Sequence, residues 1–253
     1  MPRTFEHALS GPRVNDHDTL VRAIARKQLP TAPELANLFT VVENCFQAIQ
    51  KQPILPPDGA KRFPGGSTQF LEEISSDSWI FVLSFAEDTQ DVIATVTIAP
   101  GFSTPGTQKQ QEDIAQQMEA AGKTGSAYGM DELPVEEGEV RWTVRLLCVR
   151  VDLQRRGIAD WFMKFAENAI FELVQEANAA PNGPATKLVR FMLSTIEELN
   201  GAYYSKRGWL AAKRNKMPPG FVGSEGGFTL IDMYKLVLLP GTGPDASQPA
   251  LAL

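Results

Sequence analysis

The sequence predicts an α/β domain: a central mixed sheet of six to seven strands with helices on both faces. Three observations predict it. Strand-like and helix-like apolar periods alternate along most of the 253 residues. Two apolar runs, Trp79–Phe85 and Val92–Ile98, flank the polar turn Glu87–Asp91 and read as an antiparallel hairpin. The apolar segments Val140–Val151 and Lys187–Thr195 are joined through a long amphipathic helix, a crossover that sets those two strands parallel.

In chain order, residues 1–18 are polar and read as an N-terminal extension. Thr19–Arg26 alternates like a strand, with Leu20 and Ala23 or Ile24 turned inward. Pro30 and Pro33 break the chain, and Thr31 caps a helix over about Pro33–Gln50. Its Leu35, Leu38, Phe39, Val42, Cys45, Phe46 and Ile49 recur at helical spacing, which makes a core-facing stripe. Pro53, Pro56, Pro57 and Gly59 end it, and a loop runs to about Leu71. The hairpin follows, closed by Pro100-Gly101. Next comes an insert over about 103–139 with one polar helix, Gln108–Ala121. Beyond strand Val140–Val151, the helix from Ile158 to about Ala177 buries Ile158, Phe162, Phe165, Ala166, Ala169, Ile170 and Leu173. After strand Lys187–Thr195, a short helix Glu197–Arg207 stops at Gly208 in the C′ position. Trp209–Lys213 and Gly227–Leu238 close the sheet, and 241–253 form a Gly/Pro/Ala-rich tail. The expected organisation is a single domain over 19–240.

Composition narrows the class. With 43% hydrophobic and 21% charged residues the chain is that of an ordinary globular protein. No apolar run approaches the roughly 18 residues of a membrane span, and the N-terminal stretch lacks a signal-peptide core. Cys45 and Cys148 are the only cysteines, too few for a disulfide framework or a thiolate metal site. The expectation is a reduced, cytoplasmic protein without a metal or membrane partner. Ser103–Glu139 holds Lys109 and Lys123 against eight acidic residues, a net of −6 that equals the net charge of the whole chain. Arg150–Lys216 is instead basic, eleven against seven. That polarity argues against nucleic-acid binding and suits an anionic cofactor beside a cationic substrate. A solvated acidic loop is the plainer alternative.

The chemistry concentrates after Val149. An apolar strand, the turn Gln154-Arg155-Arg156-Gly157-Ile158-Ala159 and a helix start form an anion site. Unpaired amides and the positive dipole end lie at the helix start, Gly157 allows close backbone approach, and Arg150, Arg155 and Arg156 flank it.

Gln154-x-x-Gly157-x-Ala159 resembles the acetyl-CoA signature of the GNAT superfamily of N-acetyltransferases, and Tyr204-Ser205-Lys206-Arg207-Gly208-Trp209 resembles its second signature, Tyr-x-x-x-Gly-Phe. Both occur in order on the expected elements. The resemblance implies a sheet splayed between the fourth and fifth strands. Pantetheine would lie along Leu147, Cys148 and Val149, and the pyrophosphate on the amides of Gln154, Arg155, Arg156, Gly157, Ile158 and Ala159. Asn200, Tyr204 and Arg207 complete the implied cofactor set. It further implies acetyl transfer from acetyl-CoA to the amine of a small, cationic acceptor by direct attack. An N–H of Cys148 or Val149 would hold the oxyanion, and Tyr204 would protonate the thiolate. Departures stand beside this. Glu197 occupies the place of a family Asn, and Thr143 that of a catalytic Glu; the base then falls to Glu139, or to Glu136 or Glu137, or is dispensable. A CoA-binding sensor or scaffold, or a transferase of longer acyl groups, fits the same motifs. The chain would act as a monomer or homodimer.

Overall fold

A computed structural model describes residues 8–49, 61–101, 116, 133–219 and 224–239. Eight strands form one mixed sheet in the order β1-β2-β3-β4-β5-β6-β8-β7. They are β1 (Leu9–Ser10), β2 (Thr19–Ala25), β3 (Trp79–Phe85), β4 (Val92–Pro100), β5 (Glu139–Val149), β6 (Leu188–Ile196), β7 (Leu210–Met217) and β8 (Phe228–Leu238). Helices α1 (Leu35–Ile49) and α2 (Gly66–Glu73) cover one face, and α3 (Ile158–Ala179) covers the other. A fourth helix, α4 (Ala202–Ser205), continues a π-helical turn at Glu197–Gly201. No helix among the described residues is long and apolar enough to cross a membrane.

The core has two parts because the sheet is covered twice. Phe81, Leu83, Ile93, Val96 and Ile98 lie in one cluster with Phe162, Ala166 and Ile170 of α3. Ile80, Val82 and Val92 lie in the other with Leu38, Val42 and Cys45 of α1 and Phe70 of α2. Strands β3 and β4 are therefore buried on both faces, which explains their nearly unbroken apolar sequence. Edge strand β7 carries Lys213, Arg214 and Lys216, charges that discourage pairing with another chain.

Several expectations need correcting. Leu9–Ser10 pairs with β2, and Val14 is buried, so this part of the expected N-terminal extension belongs to the sheet. The sheet thus has eight strands rather than six or seven. In β2 it is Val21, not Leu20, that enters the core with Ile24. Residues 66–73, expected as loop to about Leu71, form α2, whose Phe70 meets Phe39 and Phe63 edge to face. On α3, Met163 and Val174 are buried while Phe165 and Leu173 are only partly so. The expected helix at 108–121, apart from Gln116, and the tail at 241–253 lie outside the described residues.

The pairing of β5 with β6 is short, and it leaves the sheet open at one end. Strands β5 and β6 are its parallel pair, and their register runs only from Glu139↔Leu188 to Thr143↔Met192. Beyond that rung β5 stays paired to β4 as far as Ala94↔Val149, while β6 stays paired to β8 as far as Ile196↔Leu230. The two strands diverge between Val144–Val149 and Leu193–Ile196, and the sheet opens. These are the two strands between which the splay is expected; the two-residue β1 makes them the fifth and sixth.

Candidate active site

The opening between β5 and β6 is a cleft of about 710 Å³. Its walls come from β5, from the turn into α3, from the end of β6, from the Asn200–Arg207 segment and from α1. A β-bulge shapes the β5 wall. Thr95 faces Cys148 but Thr97 faces Arg145, so β5 carries an extra residue here, and Leu146 takes φ +49°. Side-chain alternation is broken: Val144 and Leu147 join the α3-side core, whereas Leu146 and Cys148 face the α1-side core.

Backbone direction along β5 follows from two hydrogen bonds. The Arg150 N–H donates to Ile93 on β4 at 2.8 Å. The Val149 carbonyl instead accepts from the Cys45 thiol at 3.0 Å and from Gln154 Nε2 at 3.0 Å. Since the N–H and C=O of one strand residue point to the same edge, Val149 aims both into the opening, while Cys148 and Arg150 address β4. Cys148 therefore lines the cleft with its thiol.

At the mouth, Gly157 is the N-cap of α3 with φ +80°, and no side chain caps that end. Arg155 is also left-handed, at φ +63°. With Gln154 extended and residues 155 and 157 left-handed, the turn leads into an uncapped helix start, whose first N–H groups have no partner within the helix. A Cβ built on Gly157 would meet nothing within 4 Å, so the approach is open. Gln154, Arg155, Gly157, Ile158 and Ala159 all line the cleft. Arg156 does not; its guanidinium is turned to the Asn15 side-chain carbonyl.

Across the mouth, Asp160 in the first turn of α3 holds Arg207 through two bonds, Nε–Oδ1 and Nη2–Oδ2, each 2.5 Å. It also accepts the Tyr203 hydroxyl at 2.8 Å, and Arg207 stacks over the Tyr203 ring at 3.7 Å. The Arg207 guanidinium keeps the Asp160 carboxyl below its ordinary value. Arg207 is thus a cleft-lining residue whose charge is already matched. This clamp joins residues 47 apart in sequence, and no local pattern announces it.

Deeper in, Tyr204 lines the cleft, its ring edge to face with Trp209 at 5.6 Å and with Tyr203 at 5.0 Å. Burial pushes its phenol well above the ordinary tyrosine value, so it stays protonated. Asn200 lines the same wall and donates to the Thr195 hydroxyl at 3.0 Å. Cys45 and Cys148 are free thiols hydrogen-bonded to each other, and that bond together with burial drives the Cys148 thiol up, away from thiolate character.

Glu139 is a correction. It lies at the paired end of the parallel strands, opposite Leu188, roughly 26 Å of extended strand from Leu147 at about 3.3 Å per residue. Its side chain is fully buried between Arg190, at 2.6 and 2.8 Å, and Arg141, at 2.7 Å. Burial alone would raise its carboxyl, but Arg190, the Glu136 amide and Arg141 outweigh that and hold it low. It does not line the cleft, and a carboxylate so held is no base. Thr143, on the last parallel rung, donates to the Gly101 carbonyl at 2.7 Å, and Glu197 binds Arg214 at 2.7 Å; both are structural. Among the described residues Asp160 is the only carboxylate lining the cleft. Sequence reasoning missed the α1 wall (Val42, Cys45, Phe46, Ile49), and also Arg62, Arg145, Asp160 and Tyr203. The α1 residues carry the same apolar stripe as any core helix.

No protein-family model and no curated protein sequence matches the chain. Structural neighbours across the chain are GNAT acetyltransferases. The structure is similar to an acetyltransferase of the GNAT family from Streptococcus pneumoniae, at 11% identity over 87% of this chain and 99% of that one, with a TM-score of 0.44. It is similar to Arabidopsis thaliana NAA60 in complex with acetyl-CoA, at 14% identity over 87% and 98%, TM-score 0.48. It is also similar to an acyl-CoA N-acyltransferase from Pseudomonas aeruginosa, at 14% identity over 86% and 99%, TM-score 0.46. Likenesses this distant say nothing of substrate or mechanism, which have to come from the cleft.

Proposed function

We propose that this chain is an acyl-CoA-dependent N-acyltransferase, moving an acetyl group from acetyl-CoA to a small amine. The observation that carries this is the parallel pair β5/β6 parting after Thr143↔Met192 into a cleft whose mouth is the uncapped, left-handed start of α3. An elongated thioester with a phosphorylated end fits that combination: phosphates at the helix start, an amide-bearing arm against open strand edges. The amides from Gln154 to Ala159, with Arg155, would hold the pyrophosphate. Along the opening, the Val149 N–H and, by alternation, that of Leu147 would serve the arm and the reacting carbonyl.

The chemistry then needs little from side chains. The amine nitrogen attacks the thioester carbon, and the carbonyl oxygen takes up negative charge facing the Val149 N–H. Collapse breaks the carbon–sulfur bond, and the thiolate takes the Tyr204 proton; the attacking nitrogen, once acylated, gives up its proton in exchange. Tyr204 suits the role because burial keeps it protonated. No unpaired carboxylate lines the cleft among the described residues, which favours an acceptor that arrives as the neutral amine. The α1 side of the cleft, beyond the bulge, is left for the acceptor, since the helix start would take the phosphates.

The test is calorimetric titration with acetyl-CoA and desulfo-CoA, followed by thiol release with amines, amino acids, aminosugars and peptides. Binding of both and acceptor-dependent thiol release are expected. Tight binding with no release from any amine would favour a sensor. Absence of binding would end the proposal.

A further inference from the structure

On the α1 side of the cleft, away from the helix start, two guanidiniums reach the cavity: Arg62 and Arg145. Arg145 is placed there by the bulge, next to Leu146. Both are steadied by Glu73 at the end of α2. Arg62 Nη2 lies 3.2 Å from the Glu73 carboxylate, and Arg145 Nη1 donates to the Glu73 carbonyl at 3.3 Å. The Glu73 side chain is itself only 8% exposed and does not line the cleft. Glu43, the neighbouring acid on α1, is turned to the Phe63 amide at 2.9 Å and is likewise absent from the lining. Two guanidiniums therefore line this end of the cavity, while Glu73 and Glu43 do not.

Arg62 has capacity to spare. Its Nε is buried and has no hydrogen-bond partner among the described residues, and its guanidinium is held over Phe63 at 5.0 Å and Phe46 at 6.0 Å. A buried N–H left unmade is costly, and the side chain is still 36% exposed, so the outer part of the guanidinium is open to a ligand in the cleft. The remaining lining of this end is apolar: Val42, Phe46 and Ile49. The sole acid in the cleft lining among the described residues, Asp160, stands at the opposite end and is neutralised by Arg207. A polycationic acceptor would meet two like charges here. That is the reverse of the expectation drawn from the acidic insert.

Resting on the acyl-transfer reading above, we infer that Arg62 and Arg145 recognise a carboxylate in the reacting pair, and that the acceptor is an amine carrying a carboxylate beside an apolar group, as an apolar α-amino acid does. Arginine suits this because its planar fork matches a carboxylate with two parallel bonds. The same pair would accept a carboxylate at the far end of the acyl group, as in a succinyl thioester.

The experiment uses matched pairs. Thiol release from acetyl-CoA is measured with L-phenylalanine against phenethylamine and with L-leucine against 3-methylbutylamine, in the wild type, Arg62→Gln and Arg145→Gln. The acid of each pair should be favoured at least about tenfold in kcat/KM, mostly through KM, and Arg62→Gln should bring the ratio close to one. A second arm replaces acetyl-CoA with succinyl-CoA and uses the decarboxylated amines; a preference appearing only there assigns the carboxylate to the acyl group. Equal or better use of the decarboxylated amines, with no gain from succinyl-CoA, overturns the inference while leaving acyl transfer intact. If acetyl-CoA does not bind, the acyl-transfer reading fails instead. Direct titration of L-phenylalanine and phenylacetate into wild type and Arg62→Gln then decides the carboxylate site: binding lost in the variant supports it, and no binding by either protein refutes it.

Discussion

Replacing Tyr204 by Phe removes one oxygen from the cleft and leaves the ring in place. The ring is held by Trp209 at 5.6 Å and Tyr203 at 5.0 Å, both edge to face, and none of the described hydrogen bonds uses its hydroxyl. Stability should therefore change by less than about 1 kcal/mol, the worth of one ordinary hydrogen bond. Turnover should change far more. A positioned acid contributes about 10²–10⁴-fold, and a thiolate of cysteine-like basicity, with a pKa near about 8.5, leaves readily enough to put the effect at the lower end. A fall of about 30- to 100-fold in kcat is expected, about 2–3 kcal/mol of activation free energy. Acetyl-CoA affinity should hold within about threefold if the hydroxyl acts only on the departing sulfur. The assay is thiol release at saturating acetyl-CoA, with calorimetry and thermal unfolding on the same preparations. Wild-type turnover with normal binding would take Tyr204 out of the reaction. A loss confined to acetyl-CoA binding would make it a wall of the pocket and nothing more.

Gly157→Trp should abolish acetyl-CoA binding while costing the fold only about 1–2 kcal/mol for a side chain at φ +80°, because the new side chain projects into open cleft space; normal binding by calorimetry would remove the phosphate site. Glu139→Gln should destabilise by about 3–5 kcal/mol, since it leaves the buried Arg190 without its carboxylate, yet preserve turnover per folded molecule. A selective loss of kcat at normal stability would return Glu139 to catalysis. Its lowered carboxyl also predicts the acid limb: this stabilisation is complete above the ordinary carboxylate range and is lost as pH falls through the folded-state value, so urea midpoints of Glu139→Gln should depend less on pH there. At alkaline pH the sign reverses. Tyr203 and Tyr204 are both pushed up, so the unfolded chain releases phenolic protons that the folded one retains, and stability should fall above about pH 10, less steeply in Tyr204→Phe. Equal slopes for that variant and the wild type would contradict the buried phenol.

The legible part of the fold was local. The hairpin turn, the stripe on α1 and the strand–turn–helix at Val149–Ile158 are written in spacings of two to four residues, and periodicity reads them directly. Helix α2 escaped because its one deeply buried residue, Phe70, gives no repeating stripe within eight residues. Strand β1 escaped because two residues carry no period at all.

The candidate site divided along the same line. Gln154, Arg155, Gly157, Tyr204 and Arg207 lie on two motifs and, with Asn200 one turn before the second, all reach the cleft. Glu139 was chosen for its position at a strand start, and that position put it at the closed end among arginines from two strands. The cationic acceptor was expected from the charge of a segment, whereas the charged groups that line the cleft beside α1, among the described residues, are Arg62 and Arg145.

By itself the sequence determined the β3–β4 hairpin, the apolar stripe of α1, the strand–turn–helix into α3 and the tyrosine that follows β6, because each depends on residues within a turn or two of chain. Tertiary structure alone decided how far β5 and β6 stay paired, which edge of Val149 faces the gap, that Asp160 neutralises Arg207, and that Arg62 and Arg145 share a wall with α1. The reason is physical. A helix start or a strand period is set by neighbours along the backbone, but a charge acquires its function from whatever the fold brings within a few ångströms of it, and those partners here are 11 to 72 residues away.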